Sequence, residues 1–190
     1  MKKRQVDQVL RAAGRITGAQ QFVIIGSQSL HGKYPDLADE ILRSFEVDII
    51  AKSNPSRSEW LNAIGQDSPF HERFGYYADP VDETTAVLPK GWKARLVNLP
   101  AGDTDGVRGL CLDPHDLALA KYVASREKDL VFTRELVTRG LVARDRLEQL
   151  LGETPVSQEA RERIGRQIDR DFGAAPSARS FSGRAKRKRN

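Results

Sequence analysis

The chain has little that belongs to a secreted or membrane protein. It carries a single cysteine, Cys111, so no intrachain disulfide forms and a reducing compartment is the simplest setting. Its apolar runs are short. Phe22-Val-Ile-Ile25 is typical and falls far below the ~20 residues that span a bilayer. The basic start, Met1-Lys-Lys-Arg-Gln, lacks the apolar stretch of a signal peptide behind it. The expectation is a cytoplasmic protein with no membrane partner. The three histidines, His31, His71 and His115, have no metal-ligand spacing, and no zinc pattern or Ser-His-Asp arrangement stands out. His31 is expected on a helix surface and Cys111 in the core. No repeat recurs at a fixed period.

What is present fits an ordinary globular chain of 190 residues, 39% hydrophobic and 30% charged, long enough for one domain with a helical appendage. The net charge of +5 is unevenly placed. Residues 161–190 hold ten Lys/Arg against three Asp/Glu, and five of the six residues from Arg184 to Arg189 are basic. The body is therefore close to neutral. Residues 173–190 are expected to form a disordered tail, since Phe181 is the one large apolar group after Ala174. Its charge suits RNA or DNA phosphates without sequence preference.

Apolar spacing predicts a helix over Gln5–Ile16, with Val6, Val9, Leu10, Ala13 and Ile16 on one face. Gln21–Ile25 reads as a buried strand ending at Gly26-Ser27, followed by a helical turn to Gly32. Asp36 is a candidate N-cap for a helix through Arg43. Phe45–Ala51 is a second strand. A helix opened by Pro55 and Ser56 carries Trp60, Leu61 and Ile64. Gly75–Ala78 and Ala94–Val97 read as short strands, and Asp103–Gly109 as a polar loop. Helices are expected over Pro114–Ser125, Lys128–Arg139, Arg144–Leu151 and Pro155–Arg170.

The strongest chemical signal is Phe45-Glu-Val-Asp-Ile-Ile50. Residues two apart on a strand share a face, so Glu46 and Asp48 project together while Val47 and Ile49 point the other way. Paired carboxylates repel, and a hard divalent cation is the natural relief. Mg²⁺ favours oxygen ligands and commonly takes one or two carboxylates plus substrate phosphates. Without that cation, the same pattern is an exposed strand face whose acids meet Lys or Arg. Gly26 and Ser27 add a close backbone approach, a hydroxyl donor and a helix start for phosphate.

These parts resemble the nucleotidyltransferase superfamily: a hydrophobic strand ending in Gly-Ser, a helix, then a strand of acid-hydrophobic-acid-hydrophobic. Eighteen residues separate Ser27 from Glu46, and the first acid is Glu where the superfamily usually has Asp. The segment Asp113–Asp129 is similar to the helical part of abortive-infection-type nucleotidyltransferase toxins and their uncharacterised bacterial relatives. In them a helix with a central Lys precedes a basic-Asp pair, matched here by Lys121 and Lys128-Asp129. The stretch Tyr76–Trp92 is similar to the same relatives. On one continuous helix Lys121 and Lys128 would lie within about 20° of each other.

The resemblance implies an α/β, polymerase-beta-like mixed sheet flanked by helices, with a core over 1–110 and a helical segment over 111–172. It implies Glu46 and Asp48 as ligands of Mg²⁺ or Mn²⁺. It implies Gly26, Ser27, Lys121 and Lys128 around the NTP, with Asp129 as a third acid or a lysine-orienting group. Asp79, Asp82, Glu83 and Asp129 remain candidates for the third carboxylate. Two readings follow. One is an active enzyme moving a nucleotide to tRNA or protein, in one form as a toxin paired with an antitoxin protein. The other is a degenerate module that binds nucleotide or RNA without turnover.

Overall fold

The computed structural model describes residues 1–37, 41–52 and 55–174. Helix α1 (Lys3–Thr17) ends at Gly18, whose φ of 71° supplies the left-handed cap. Strand β1 (Gln21–Ile24) follows, then a 3-10 turn over Ser27–Gly32. Strand β2 is Glu46–Ala51, and a second 3-10 stretch covers Pro55–Ile64. Next come α2 (Pro69–Phe74), β3 (Tyr77–Pro80), β4 (Val97–Asn98) and β5 (Arg108–Cys111). Four helices complete the described chain: α3 (Pro114–Ala124), α4 (Glu127–Thr138), α5 (Arg144–Glu153) and α6 (Gln158–Ala174).

The five strands form one mixed sheet in the order β3-β2-β1-β5-β4. The β1–β5 and β2–β3 pairs are parallel, and the β1–β2 and β4–β5 pairs are antiparallel. Each face has its own core. On one side α1 contributes Val6, Val9, Leu10 and Ala13, which pack on Phe22, Ile24, Val47 and Ile49. On the other, Val23, Ile25 and Leu112 pack under the C-terminal helices through Leu117, Leu119, Leu136 and Leu150. Burying one such side chain stabilises the fold by roughly 1.5–3 kcal/mol. No described helix is long and apolar enough to cross a membrane.

Several elements differ from the sequence expectation. The loop expected over Asp103–Gly109 turns into β5 at Arg108. Gly109 hides that strand from propensity, yet the sheet needs it. A Cβ there would lie 2.9 Å from Leu10 Cδ1 and 3.1 Å from Leu99 Cβ. Helix α2 was not expected; Ser68 Oγ caps it by accepting from the His71 amide, and Pro69 follows the cap. Its C-cap Gly75, with φ 74°, delays β3 to Tyr77 and brings Asp79 into the strand. The strand expected over Ala94–Val97 is largely a 3-10 turn, Trp92–Arg95, with β4 beginning at Val97. Arg95 instead grips the buried Asp116 at 2.8 Å.

The helix expected from Asp36 to Arg43 is absent from its described ends: Asp36–Leu37 and Ile41–Arg43 are turn and irregular chain, and 38–40 lie outside the described residues. The tail from 175 onward also lies outside them. His31 is buried, not a surface residue, and its Nε2 sits 3.0 Å from the Met1 carbonyl. Burial lowers its pKa. Cys111 is fully buried, and burial pushes its thiol up to about 12.

Candidate active site

Strand β2 alternates in burial, with Val47, Ile49 and Ala51 sunk into the α1 side and Glu46 and Asp48 partly buried on the other. The parallel register sets Glu46 against Tyr77 and Asp48 against Asp79. Three carboxylates therefore sit on two adjacent strands, and Tyr77 Oη donates to Glu46 Oε2 at 3.1 Å. Gly26 closes the site from β1's end. A Cβ on Gly26 would fall 1.6 Å from Asp48 Oδ2, so the Asp48 carboxylate occupies the space that a side chain at 26 would need.

Burial, then the charges of Glu46 and Asp79, push the Asp48 carboxyl up to about 6; Lys121 pulls the other way. Asp79 is also raised, by burial and by Glu46. Tyr77 is pushed up to about 12, by burial first and then by its bond to Glu46. This is an excess of negative charge with too little nearby cation. Among the described residues no three His, Cys, Asp or Glu side chains converge as a ready metal cage. Mg²⁺ needs only one or two protein carboxylates beside phosphate and water, so Glu46 and Asp48 fit such an ion.

The opposite wall comes from α3 and α4. The chain breaks between them at Ser125, which adopts φ 56°. Lys121 and Lys128 therefore lie on different helices, so the shared face that one continuous helix would give does not form. Glu127 and Asp129 in the first turn of α4 are the sequence mark of that new helix start. The break has a further result: Arg126 becomes the N-cap residue of α4 and its Nε donates to Asp129 Oδ2 at 2.5 Å. Lys121 Nζ lies 3.2 Å from Asp129 Oδ1. Asp129 is buried; although desolvation raises its carboxyl, the bond from Arg126 and the charge of Lys121 hold it below its usual range. Its geometry is that of a lysine-orienting group.

A cleft of ≈ 860 Å³ separates the two walls, and Gly26, Ser27, Glu46, Asp48, Lys121, Lys128 and Asp129 all border it. Asp79 and Arg126 border it too. Of the four acids considered for a third carboxylate, Asp79 stands beside Asp48. Asp82 is engaged by Thr84, and Glu83 pairs with Lys93 at 2.7 Å. Arg126 was not singled out from the sequence. Val81, Val87 and Phe132 add apolar lining, and the size of the cleft suits a nucleotide.

Carboxylates on the strands and Lys121, Arg126 and Lys128 on the helices border one cleft, which suits the transfer of a phosphorus-bearing group, a reaction that depends on positioning and charge stabilisation. A family model described as "Nucleotidyltransferase of unknown function (DUF6036)" matches residues 3–172, and the chain belongs to that family. No match was found among curated proteins or among solved structures.

Replacing Lys121 with Ala is expected to weaken NTP binding about tenfold, the cost of one charge-assisted contact to phosphate. Asp129 keeps Arg126 as a partner, so the fold stays intact. Titration calorimetry with NTP and Mg²⁺ checks this, and unchanged affinity would make Lys121 a structural partner of Asp129 only.

Proposed function

We propose that this protein transfers a nucleotide from an NTP to a hydroxyl of an RNA, tRNA first among them, or of a protein, with Mg²⁺ or Mn²⁺ held by Glu46 and Asp48. The observation that carries the reading is that Glu46, Asp48 and Asp79 line one cleft together with Lys121 and Arg126, whose charges reach Asp48. Bound there, the metal would supply charge neutralisation of the phosphates. Ser27 and Lys121 hold the triphosphate, Arg126 and Lys128 add positive charge at its outer end, and Asp129 fixes Lys121. Asp79, on the strand beside Asp48, is positioned to accept the proton of the attacking hydroxyl. That third acid supports turnover over the alternative of a binding module without activity.

Incubation with each labelled NTP, Mg²⁺ and total tRNA tests the reading. Label should move to tRNA or protein, and Glu46→Ala/Asp48→Ala should abolish the transfer. No transfer with any NTP would overturn it. The role of toxin in a toxin–antitoxin pair adds one expectation: expression of the wild type arrests growth and expression of the double variant does not.

The basic tail is proposed to help capture RNA. A chain ending at Ala174 should keep its melting temperature and NTP affinity. It should bind RNA more weakly, with a shallower dependence of log Kd on log salt, because six Lys/Arg lie beyond that point. Equal RNA binding at every salt concentration would remove the tail from the mechanism.

A further inference from the structure

A second, smaller cleft of ≈ 350 Å³ opens at the β3 edge of the sheet. It shares two residues with the nucleotide cleft, Glu46 and Asp79, which form the partition between them. The remaining wall is built by Tyr77 and by the turn that carries Asn62, Gly65 and Gln66. That turn is well tied. The Gly65 amide donates to the Asn62 carbonyl at 3.1 Å and the Ser68 amide to the Gly65 carbonyl at 3.3 Å. The Asp67 amide donates to His71 Nδ1 at 3.0 Å, and the His71 ring lies edge-on to Tyr77 at 4.7 Å. Gly65 packs closely on the turn, since a Cβ there would lie 3.3 Å from the Asn62 backbone.

We propose that this second cleft is the acceptor subsite, in which the exposed amides of Asn62 and Gln66 grip the terminal ribose of an RNA and deliver its hydroxyl past Glu46 and Asp79 into the nucleotide cleft. The proposal rests on the nucleotidyltransferase reading given above. Its physical basis is the geometry of displacement at phosphorus, in which attacking and leaving oxygens stand roughly in line. With the triphosphate drawn toward Lys121 and Arg126, the attack comes from the side of the acids, and the β3 edge opens on that side. The hydroxyl oxygen forms a bond to the α-phosphorus as the bond to the bridging α–β oxygen breaks. Pyrophosphate leaves and the hydroxyl proton passes to Asp79.

The chemistry of the lining selects the acceptor. The polar side chains bordering the second cleft are two carboxylates, two amides and the Tyr77 hydroxyl, and among the described residues no Lys, Arg or His borders it. A phosphate brought there would face acids without a compensating cation. A neutral ribose instead finds donors and acceptors in two amides, each offering both, in a space that suits one nucleoside. The phosphates behind that nucleoside remain outside the cleft. A 3′-phosphorylated RNA is therefore refused and a 3′-hydroxyl RNA accepted.

The test compares full-length wild type with Asn62→Ala/Gln66→Ala, using total tRNA with free 3′ ends and the same RNA bearing 3′-phosphates. The wild type should label the free-ended RNA and leave the phosphorylated RNA unlabelled. The double variant should raise the acceptor KM about tenfold or more, with NTP affinity by calorimetry and melting temperature unchanged. An unchanged acceptor KM, equal labelling of 3′-phosphorylated RNA, or transfer to protein alone overturns the acceptor subsite while leaving the nucleotidyltransferase reading standing. A wild type that binds no NTP and transfers to nothing overturns both. If the double variant misfolds, Gln66→Glu keeps the size of the side chain and should produce the same rise in acceptor KM by adding a third acid.

Discussion

Replacing Asp48 with Asn is expected to raise the melting temperature at pH 8 and abolish nucleotide transfer. Burial, Glu46 and Asp79 push this carboxyl from its ordinary 3.8 to about 6. A carboxyl raised in the folded state binds protons more tightly there than in the unfolded chain. The stability present below pH 3.8 is therefore lost as pH rises through about 6. The difference corresponds to on the order of 3 kcal/mol. At about 2–4 °C per kcal/mol for a chain of this size, Asn should gain several degrees at pH 8 and nothing near pH 4. Thermal unfolding across that range checks it, and a gain of equal size at pH 4 would assign the effect to shape instead of charge. Mg²⁺ should stabilise the wild type at pH 8 and leave the Asn variant nearly unmoved.

The second large effect is expected from a single methyl group. At Gly26 the backbone has φ −86°, which any residue adopts, so Gly26→Ala imposes no backbone strain. The methyl would nevertheless fall on the Asp48 carboxylate, 1.6 Å from Oδ2. The carboxylate must turn away, and displacement of a reacting group by about 1 Å costs on the order of a hundredfold in rate. The transfer rate should fall by that factor while far-ultraviolet circular dichroism remains that of the wild type. Full activity in this variant would show that Asp48 need not occupy its present position.

The acid pair was legible in the sequence because a strand's period of two is a strong local signal, and Val47 and Ile49 marked the buried face. Gly26-Ser27 was legible for a similar reason, as the end of a β-branched run. Asp79 was visible only as one of four acids, since its place depends on the pairing of β3 with β2 across 31 residues, and pairing leaves no local trace. Strand β5 was missed because Gly109 weakens its propensity while the packing of Leu10 and Leu99 demands that glycine. Arg126 was missed because it falls between the helices expected over Pro114–Ser125 and Lys128–Arg139, and nothing in its local sequence marks it as the N-cap residue of α4. The second cleft depends on a turn and two strands that only the folded chain brings together.

The parallel pairing of β1 with β5 sets when the protein becomes competent during synthesis. Residues 21–24 must wait for residues 108–111 to leave the ribosome before the centre of the sheet closes, and Lys121 and Arg126 emerge later still. A nascent chain that has released β2 thus carries its acids without the cations that face them. Loop closure over so long a stretch slows folding, and premature termination before α4 yields a chain without half of the nucleotide cleft. This chain order delays a complete cleft until α4 has emerged.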